Sequence, residues 1–178
     1  RKGAKLNHVI ITSGPFGYPA AGLSILLKNK NCSKKFGTKA KRAVFRPNCR
    51  LMFGLKNKDY FSSSMDSSDG LSTTLNEMSS QSKKRFVITR IPSENDIFAF
   101  AGSNRLDAND LIFNGGEEYE IVATVNVSNL AKIKKFAKKH RMKLYEIGYV
   151  TNGKGVFYKK DEKLIRIRDG GWQHLQKS

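Results

Sequence analysis

Residues 61–80 constrain the fold more than any other part of the chain, because a strand pattern leads almost directly into a helix pattern. Residues 61–66 form a short run that predicts a strand. Leu71, Leu75 and Met78 then recur at helical spacing. A strand that ends in a turn before a helix is typical of α/β proteins, which tend to bind ligands in such turns.

The turn between these patterns contains two acidic residues, Asp66 and Asp69, three positions apart. Two nearby carboxylates repel each other unless a positive charge lies between them, and Mg²⁺ prefers hard oxygen ligands of this kind. Ser68 is placed to reach a terminal amide of the helix. The alternative is that Asp69 only caps the helix and Asp66 is an exposed loop acid. These residues by themselves favour that alternative.

The remaining patterns predict an α/β or α+β protein, in which helices cover a mixed β-sheet. We expect a hairpin at Asn152-Gly153 and a helix capped by Ser128. The apolar run at residues 95–102 fits either element. Other strands are predicted at residues 7–12, 85–89, 119–125, 144–151, 156–160 and 164–168, and other helices at residues 19–30 and 107–113.

The chain has 178 residues, which suits one domain with a full core. Its two cysteines fit a reducing compartment. Thiols stay free in such a compartment, so we expect a cytoplasmic protein. The chain contains no apolar run of membrane-spanning length and no signal-peptide pattern at its start, so we expect no membrane partner. Because it begins at Arg1 and enters a strand pattern almost at once, we expect residues 1–178 to be a fragment of a larger protein.

Positive charge is concentrated in residues 1–58, which hold 14 of the 33 lysines and arginines and no acidic residue. Such an excess predicts an anionic partner or considerable self-repulsion. Nucleic acid is one candidate, and phosphate-rich small molecules or an acidic neighbouring domain are others. The sequence contains no RNA-binding, zinc-finger or basic-zipper signature. We therefore predict that residues 28–42 form a solvated basic surface loop and that nucleic acid is not a partner.

Several motifs, in this order, give the chain a resemblance to the thiamine-monophosphate kinases. No single motif is sufficient, and the resemblance depends on their order and spacing over nearly the whole chain. The motifs are the start at Arg1, Gly14-Pro-Phe-Gly-Tyr-Pro-Ala-Ala-Gly-Leu23, Arg46-Pro47, Met65-Asp-Ser-Ser-Asp-Gly-Leu71, Asn114-Gly-Gly-Glu-Glu-Tyr-Glu-Ile121, Glu146-Ile-Gly-Tyr-Val150 and Gly171-Trp-Gln-His174.

This resemblance implies a kinase that moves the γ-phosphate of ATP onto thiamine monophosphate with Mg²⁺. It covers only the carboxy-terminal half of such enzymes, the domain shared with aminoimidazole ribonucleotide synthetase. It therefore implies a missing amino-terminal domain through which the full-length protein forms a homodimer. The fragment alone is expected to be inactive, because the family draws most of its metal-binding acids from that domain.

The resemblance also assigns roles to individual residues. Asp66 and Asp69 correspond to magnesium ligands, in agreement with the local pattern, since phosphoryl transfer depends on positioning and charge neutralisation. Ser68 and Arg1 correspond to ATP contacts. The substrate contacts correspond to Glu117 and Trp172.

Each of these last assignments has a plainer alternative. Arg1 is equally consistent with a frayed terminus, Glu117 with a polar strand edge and Trp172 with a core aromatic. Glu118 departs from the family pattern, which has aspartate at that position, so the local geometry of the motif differs by one methylene. Two other functions remain as alternatives: a sibling ATP-using enzyme of hydrogenase maturation or purine synthesis, and a basic nucleic-acid-binding module. Steep salt dependence of nucleic-acid binding would favour the module.

Overall fold

The structure is a computed structural model that describes residues 1–171, and within that range seven strands form one mixed sheet. The sheet order is β2-β4-β1-β5-β3-β6-β7, and β3–β6 is its one parallel pair in the described range. The predicted class, a mixed sheet covered by helices, is confirmed. The strands are β1 (Val9–Thr12), β2 (Phe61–Ser67), β3 (Arg85–Ile88), β4 (Glu120–Val125), β5 (Tyr145–Thr151), β6 (Gly155–Lys160) and β7 (Lys163–Ile167). The helices are α1 (Tyr18–Lys28), α2 (Lys34–Phe45), α3 (Leu51–Asn57), α4 (Leu71–Ser82), α5 (Asn95–Ser103) and α6 (Val127–Lys139).

Helices cover both faces of the sheet, and each face has its own apolar core. Helices α1, α2, α4 and α5 contribute to the larger core, where Leu75 and Met78 of α4 pack with Phe86 of β3. Helices α3 and α6 contribute to the smaller core, where Ile133 packs with Ile11 of β1. The sheet is therefore the central layer of a three-layer arrangement, and its strand ends carry the candidate site.

The predicted basic loop at residues 28–42 is wrong, because most of this segment belongs to helix α2. The Ser33 hydroxyl accepts a hydrogen bond from the Phe36 amide at 3.3 Å and caps the helix. Phe36 and Ala40, four positions apart, are buried against the larger core. This apolar spacing was present in the sequence, but the surrounding lysines obscured it.

Two other boundaries differ from the prediction. Helix α6 is capped by Asn126, not Ser128, since the Ser128 amide donates to Asn126 Oδ1 at 3.0 Å. The helix predicted at residues 107–113 is instead a short π-helical segment, Asp110–Asn114. The apolar run that fitted either element forms helix α5.

The predicted hairpin at Asn152-Gly153 is also wrong, because β5 and β6 are not neighbours in the sheet. Strand β3 lies between them, and its Arg85 is opposite both Thr151 of β5 and Gly155 of β6. The Asn-Gly pattern indicates a local turn but not which strands it joins. Here the turn passes over the start of β3.

No helix within residues 1–171 is long and apolar enough to cross a membrane.

Leu75→Ala tests the larger core. Leu75 is fully buried, so we expect the free energy of unfolding to fall by about 2–5 kcal/mol through lost burial and the cavity that remains. Leu27→Ala is the matched control, because Leu27 is 76% exposed and should change stability by less than about 0.5 kcal/mol. Urea unfolding followed by circular dichroism measures both. Equal effects would contradict the described packing.

Candidate functional site

A cavity of about 550 Å³ opens where the β2–α4 turn meets helix α1 and the glycine loop, residues 114–117. Ser68, Asp69 and Glu117 all line it. The structure thus brings three of the predicted site residues together. Gly171, the last described residue, lines the same cavity. The predicted substrate contact Trp172 lies outside the described residues.

Backbone hydrogen bonds hold the glycine loop against the end of β2. The Glu117 amide donates to the Ser68 carbonyl at 2.7 Å, and the Tyr119 amide donates to the Ser67 carbonyl at 2.9 Å. A Cβ at Gly116 would lie 2.7 Å from the Ser68 oxygen, so this approach requires glycine. The loop therefore presents the Glu117 side chain beside Ser68.

Asp66 and Asp69 do not face the same cavity. Asp69 lines the 550 Å³ cavity, whereas Asp66 lines a second cavity of about 490 Å³, which also contains Tyr119 and Arg50. Neither aspartate forms an ion pair with any described residue. Both carboxylates thus remain available as oxygen ligands, one on each side of the turn.

Neither Ser68 nor Asp69 caps helix α4, so both capping predictions are wrong. The N-cap is Gly70, and no side chain caps the helix. The Ser68 hydroxyl instead donates to Asp69 Oδ2 at 3.2 Å. Asp69 therefore retains free acceptor capacity toward the cavity, since a carboxylate can accept several hydrogen bonds.

Each aspartate is a hard oxygen donor of the kind that Mg²⁺ prefers, but the two line separate cavities and do not complete one site. Within residues 1–171 no group of three His, Cys, Asp or Glu side chains is placed to hold a metal. Mg²⁺ commonly binds through one or two carboxylates together with substrate phosphates and water. The assignment of Asp66 and Asp69 as magnesium ligands therefore stays a prediction, and a metal at either carboxylate would need ligands besides it.

A hydrogen-bond chain that sequence reasoning missed supports the cavity wall. The Ser72 hydroxyl donates to Asn114 Oδ1 at 2.9 Å, and Asn114 Nδ2 donates to Asp110 Oδ1 at 2.8 Å. The Gly170 amide donates to the Ser72 hydroxyl at 3.3 Å. The four-residue spacing of Asp110 and Asn114 was the available signal.

Arg1 lies away from these residues. Its guanidinium is 3.5 Å from Glu77 of helix α4, and its side chain is 58% exposed. Arg1 lines neither cavity. Its role toward ATP stays a prediction from the resemblance.

Glu117 and Tyr119 form a ridge between the two cavities. The Tyr119 hydroxyl donates to Glu117 Oε2 at 2.6 Å, and this bond to a carboxylate raises the pKa of Tyr119. Both residues have positive φ, 65° and 52°, a conformation that is uncommon outside glycine. Residues 117 and 119 share this outer ridge, whereas Glu118 between them is buried.

Two buried carboxylates, Glu118 and Glu120, lie beneath this ridge. Glu118 accepts a hydrogen bond from the Gly17 amide at 2.5 Å. Glu120 forms a double hydrogen bond with Arg50, at 2.6 and 2.8 Å. Sequence reasoning missed both contacts, because the partners are about 70 to 100 residues apart. Only the motif around Glu118 drew attention to this region.

Burial raises the pKa of Glu118 well above its ordinary value, and the neighbouring charge of Glu120 adds to the shift. The Gly17 amide opposes the shift but does not cancel it. Arg50 pairs with Glu120, and no ion pair to Glu118 occurs within residues 1–171. Glu118 therefore holds its proton more tightly in the folded state than in the unfolded state.

This shift predicts how stability depends on pH. The folded state binds the extra proton, so the stability from Glu118 is complete below its ordinary pKa of about 4.3. It then falls as pH rises toward the raised pKa, by at most about 1.4 kcal/mol per pH unit. Glu118→Gln should remove this dependence, because glutamine can still accept from Gly17. We expect a flatter stability profile above pH 5 in urea unfolding.

Glu117→Gln is the matched control for this measurement, since Glu117 is the adjacent glutamate and is exposed. It should leave the slope of stability against pH close to that of the unmodified protein. A steep slope that persists in Glu118→Gln would show that another group causes it.

Comparison with known proteins agrees with the predicted resemblance. The chain is 52% identical over 176 residues to the thiamine-monophosphate kinase of Nitrosopumilus maritimus, covering 99% of this chain and 56% of that protein. It is 31% identical to the corresponding kinase of Pyrococcus horikoshii, covering 99% of the chain and 53% of that protein. The chain thus spans about half the length of the curated relatives it matches.

Solved structures agree as well. The AaThiL protein in complex with AMPPCP and TMP matches with a TM-score of 0.78 at 26% identity, over 98% of this chain and 53% of that one. The hydrogenase maturation protein HypE of E. coli matches with a TM-score of 0.72 at 16% identity, over 97% of this chain and 51% of that one. At 16% identity, the likeness to HypE shows a shared fold and nothing more.

The family described as AIR synthase related protein, C-terminal domain, matches residues 18–160. This match includes the glycine loop, the β2–α4 turn and the buried acids beneath them. The chain therefore belongs to the family of AIR synthase related proteins, as a carboxy-terminal domain of that family.

Proposed function

We propose that this chain is the carboxy-terminal half of a kinase that transfers the γ-phosphate of ATP to thiamine monophosphate, forming thiamine diphosphate. The observation that carries the proposal is the cavity in which Ser68, Asp69 and Glu117 meet. These residues come from separate motifs, and the relatives that cover 99% of the chain are kinases of this substrate.

On the nucleotide side, Ser68, Asp66 and Asp69 carry the proposed roles. Ser68 offers a hydroxyl to ATP, and the two aspartates would hold Mg²⁺. Such an ion supplies neutralisation of phosphate charge during phosphoryl transfer. The binding of AMPPCP by AaThiL supports a nucleoside triphosphate as co-substrate. Arg1 is the further proposed ATP contact.

On the substrate side, Glu117 and Trp172 carry the proposed roles. Thiamine is cationic, so the exposed carboxylate of Glu117 provides charge complementarity at the cavity rim. The indole of Trp172 would stack on a flat cationic ring. AaThiL was solved with TMP, which supports the same substrate class.

An amino-terminal half would complete the site. Asp66 and Asp69 line separate cavities, so a metal-bound triphosphate would need further ligands beyond those of residues 1–171. We infer that the full-length protein supplies them from its other half, that it forms a homodimer through that half, and that it acts in the cytoplasm. This chain alone is then expected to be inactive.

The test is conversion of thiamine monophosphate to thiamine diphosphate by the full-length protein with ATP and Mg²⁺, beside this chain alone. We expect product from the full-length protein only. A folded full-length protein that makes no product would contradict the proposal and favour a sibling ATP-using enzyme. HypE shares the fold at 16% identity, so the fold does not separate these functions and the substrate assay does.

Asp66→Asn and Asp69→Asn test the metal ligands in the full-length protein. Each should lower kcat by about 100-fold or more, because a negative ligand that helps neutralise phosphate charge is lost. Asp161→Asn is the control, since Asp161 is exposed between β6 and β7. A lower kcat in steady-state kinetics, with an unchanged melting temperature, would support the roles of the two aspartates. Normal turnover in both variants would remove the metal assignment.

Glu117→Gln tests the substrate side. Losing a charge-assisted contact should raise the KM for thiamine monophosphate by about 10-fold or more and leave the KM for ATP nearly unchanged. Glu162→Gln, at a 94% exposed side chain, is the control. Equal increases in both KM values would show that Glu117 does not distinguish the two substrates.

A further inference from the structure

We propose that Arg50 and Glu120 are positioning residues, whose ion pair holds the loop that presents Glu117 to the substrate. This inference rests on the proposed function. Neither residue lines the 550 Å³ cavity that contains Glu117, although Arg50 lines the cavity of Asp66. Both would therefore act on Glu117 through the loop rather than by touching thiamine monophosphate.

The pair has the geometry of a rigid contact. Arg50 Nε lies 2.8 Å from Glu120 Oε2, and Arg50 Nη2 lies 2.6 Å from Glu120 Oε1. Their side chains are only 19% and 7% exposed. Two parallel hydrogen bonds between planar groups fix orientation as well as distance. The residue before helix α3 is thereby joined to the first residue of β4.

A third segment encloses the same carboxylate. The Ser13 hydroxyl donates to Glu120 Oε2 at 2.5 Å and accepts from the Ile121 amide at 2.8 Å. A Cβ at Gly14 would lie 2.3 Å from Glu120 Oε1. The turn after β1 therefore closes over Glu120 and leaves its side chain little freedom.

The position of Glu120 is transmitted to Glu117 through Tyr119. Tyr119 directly precedes Glu120, and its hydroxyl holds Glu117 Oε2 at 2.6 Å. Glu117 and Tyr119 both have positive φ, which persists only where the surroundings determine it. The Arg50–Glu120 pair and the adjacent bond from the Tyr119 amide to Ser67 anchor one end of this loop, and the bond from the Glu117 amide to Ser68 anchors the other.

The test separates positioning from simple stability. Arg50→Met leaves Glu120 buried without its cation and should lower the melting temperature of the full-length protein by about 10 °C. The double variant Arg50→Met/Glu120→Gln removes both charges and keeps an acceptor for Ser13, so most of this loss should be recovered. Arg50→Lys keeps the charge but not the double hydrogen bond.

In the recovered double variant we expect the KM for thiamine monophosphate to stay about 10-fold above that of the unmodified enzyme, with the KM for ATP within about 2-fold. The KM of Arg50→Lys for thiamine monophosphate should lie between the values of the unmodified enzyme and the double variant. Lys134→Met is the matched control, because it breaks the Lys134–Glu146 pair, whose side chains are 52% and 42% exposed. A stable double variant with an unmodified KM for thiamine monophosphate, or equal increases in both KM values, would overturn the proposal.

Hydrogen exchange of residues 116–119 provides a readout that does not depend on the kinase reaction. We expect faster exchange of these amides in the double variant than in the unmodified protein or in Lys134→Met. Unchanged exchange would overturn the inference whichever substrate the enzyme uses. Absence of thiamine diphosphate from the unmodified enzyme, with faster exchange in the double variant, would instead overturn only the proposed function.

Discussion

The double hydrogen bond between Arg50 and Glu120 is the interaction on which the arrangement around the candidate site depends. A carboxylate removed from water is costly unless a cation and hydrogen-bond donors surround it. Glu120 satisfies this condition with Arg50 and Ser13. Because Glu120 and these two partners come from three distant segments, the burial of one charge fixes the turn after β1, the start of α3 and the start of β4 relative to one another. Within residues 1–171, no cation pairs with the neighbouring Glu118, and burial raises its pKa.

The sequence predicted the strands and the β2–α4 unit well because their signals are local. Phe61–Ser67 and Leu71–Ser82 lie close to the predicted ranges, since apolar period and turn residues determine such elements over a few positions. Helix α2 was missed because lysines dominate its composition, although Phe36 and Ala40 hold its apolar spacing. Strand neighbours were beyond local reasoning. Arg85 of β3 lies between β5 and β6. The residues around Asn152 could not predict this, because Arg85 is about 70 residues earlier in the chain.

The site shows the same division between local and distant information. Ser68, Asp69 and Glu117 were predicted from motifs, and the structure brings them to one cavity. Asp66 lines the other cavity, because it lies within β2, whereas Ser68 and Asp69 follow the end of that strand. The fold itself is shared with proteins of other names, such as HypE at 16% identity. The sheet by itself therefore does not distinguish the proposed function from those of other proteins with this fold.

The link between β5 and β6 has a consequence for how the chain reaches its fold. Those two strands are separated by three residues in sequence, yet neither can bind the other, because β3 fills the space between them. An early local hairpin is thus a non-native pairing. Since β3 precedes both strands in the chain, they can add to its two edges as they form, and nothing has to be threaded between them. This half of the sheet depends on contacts between residues far apart in sequence, which are slow to form.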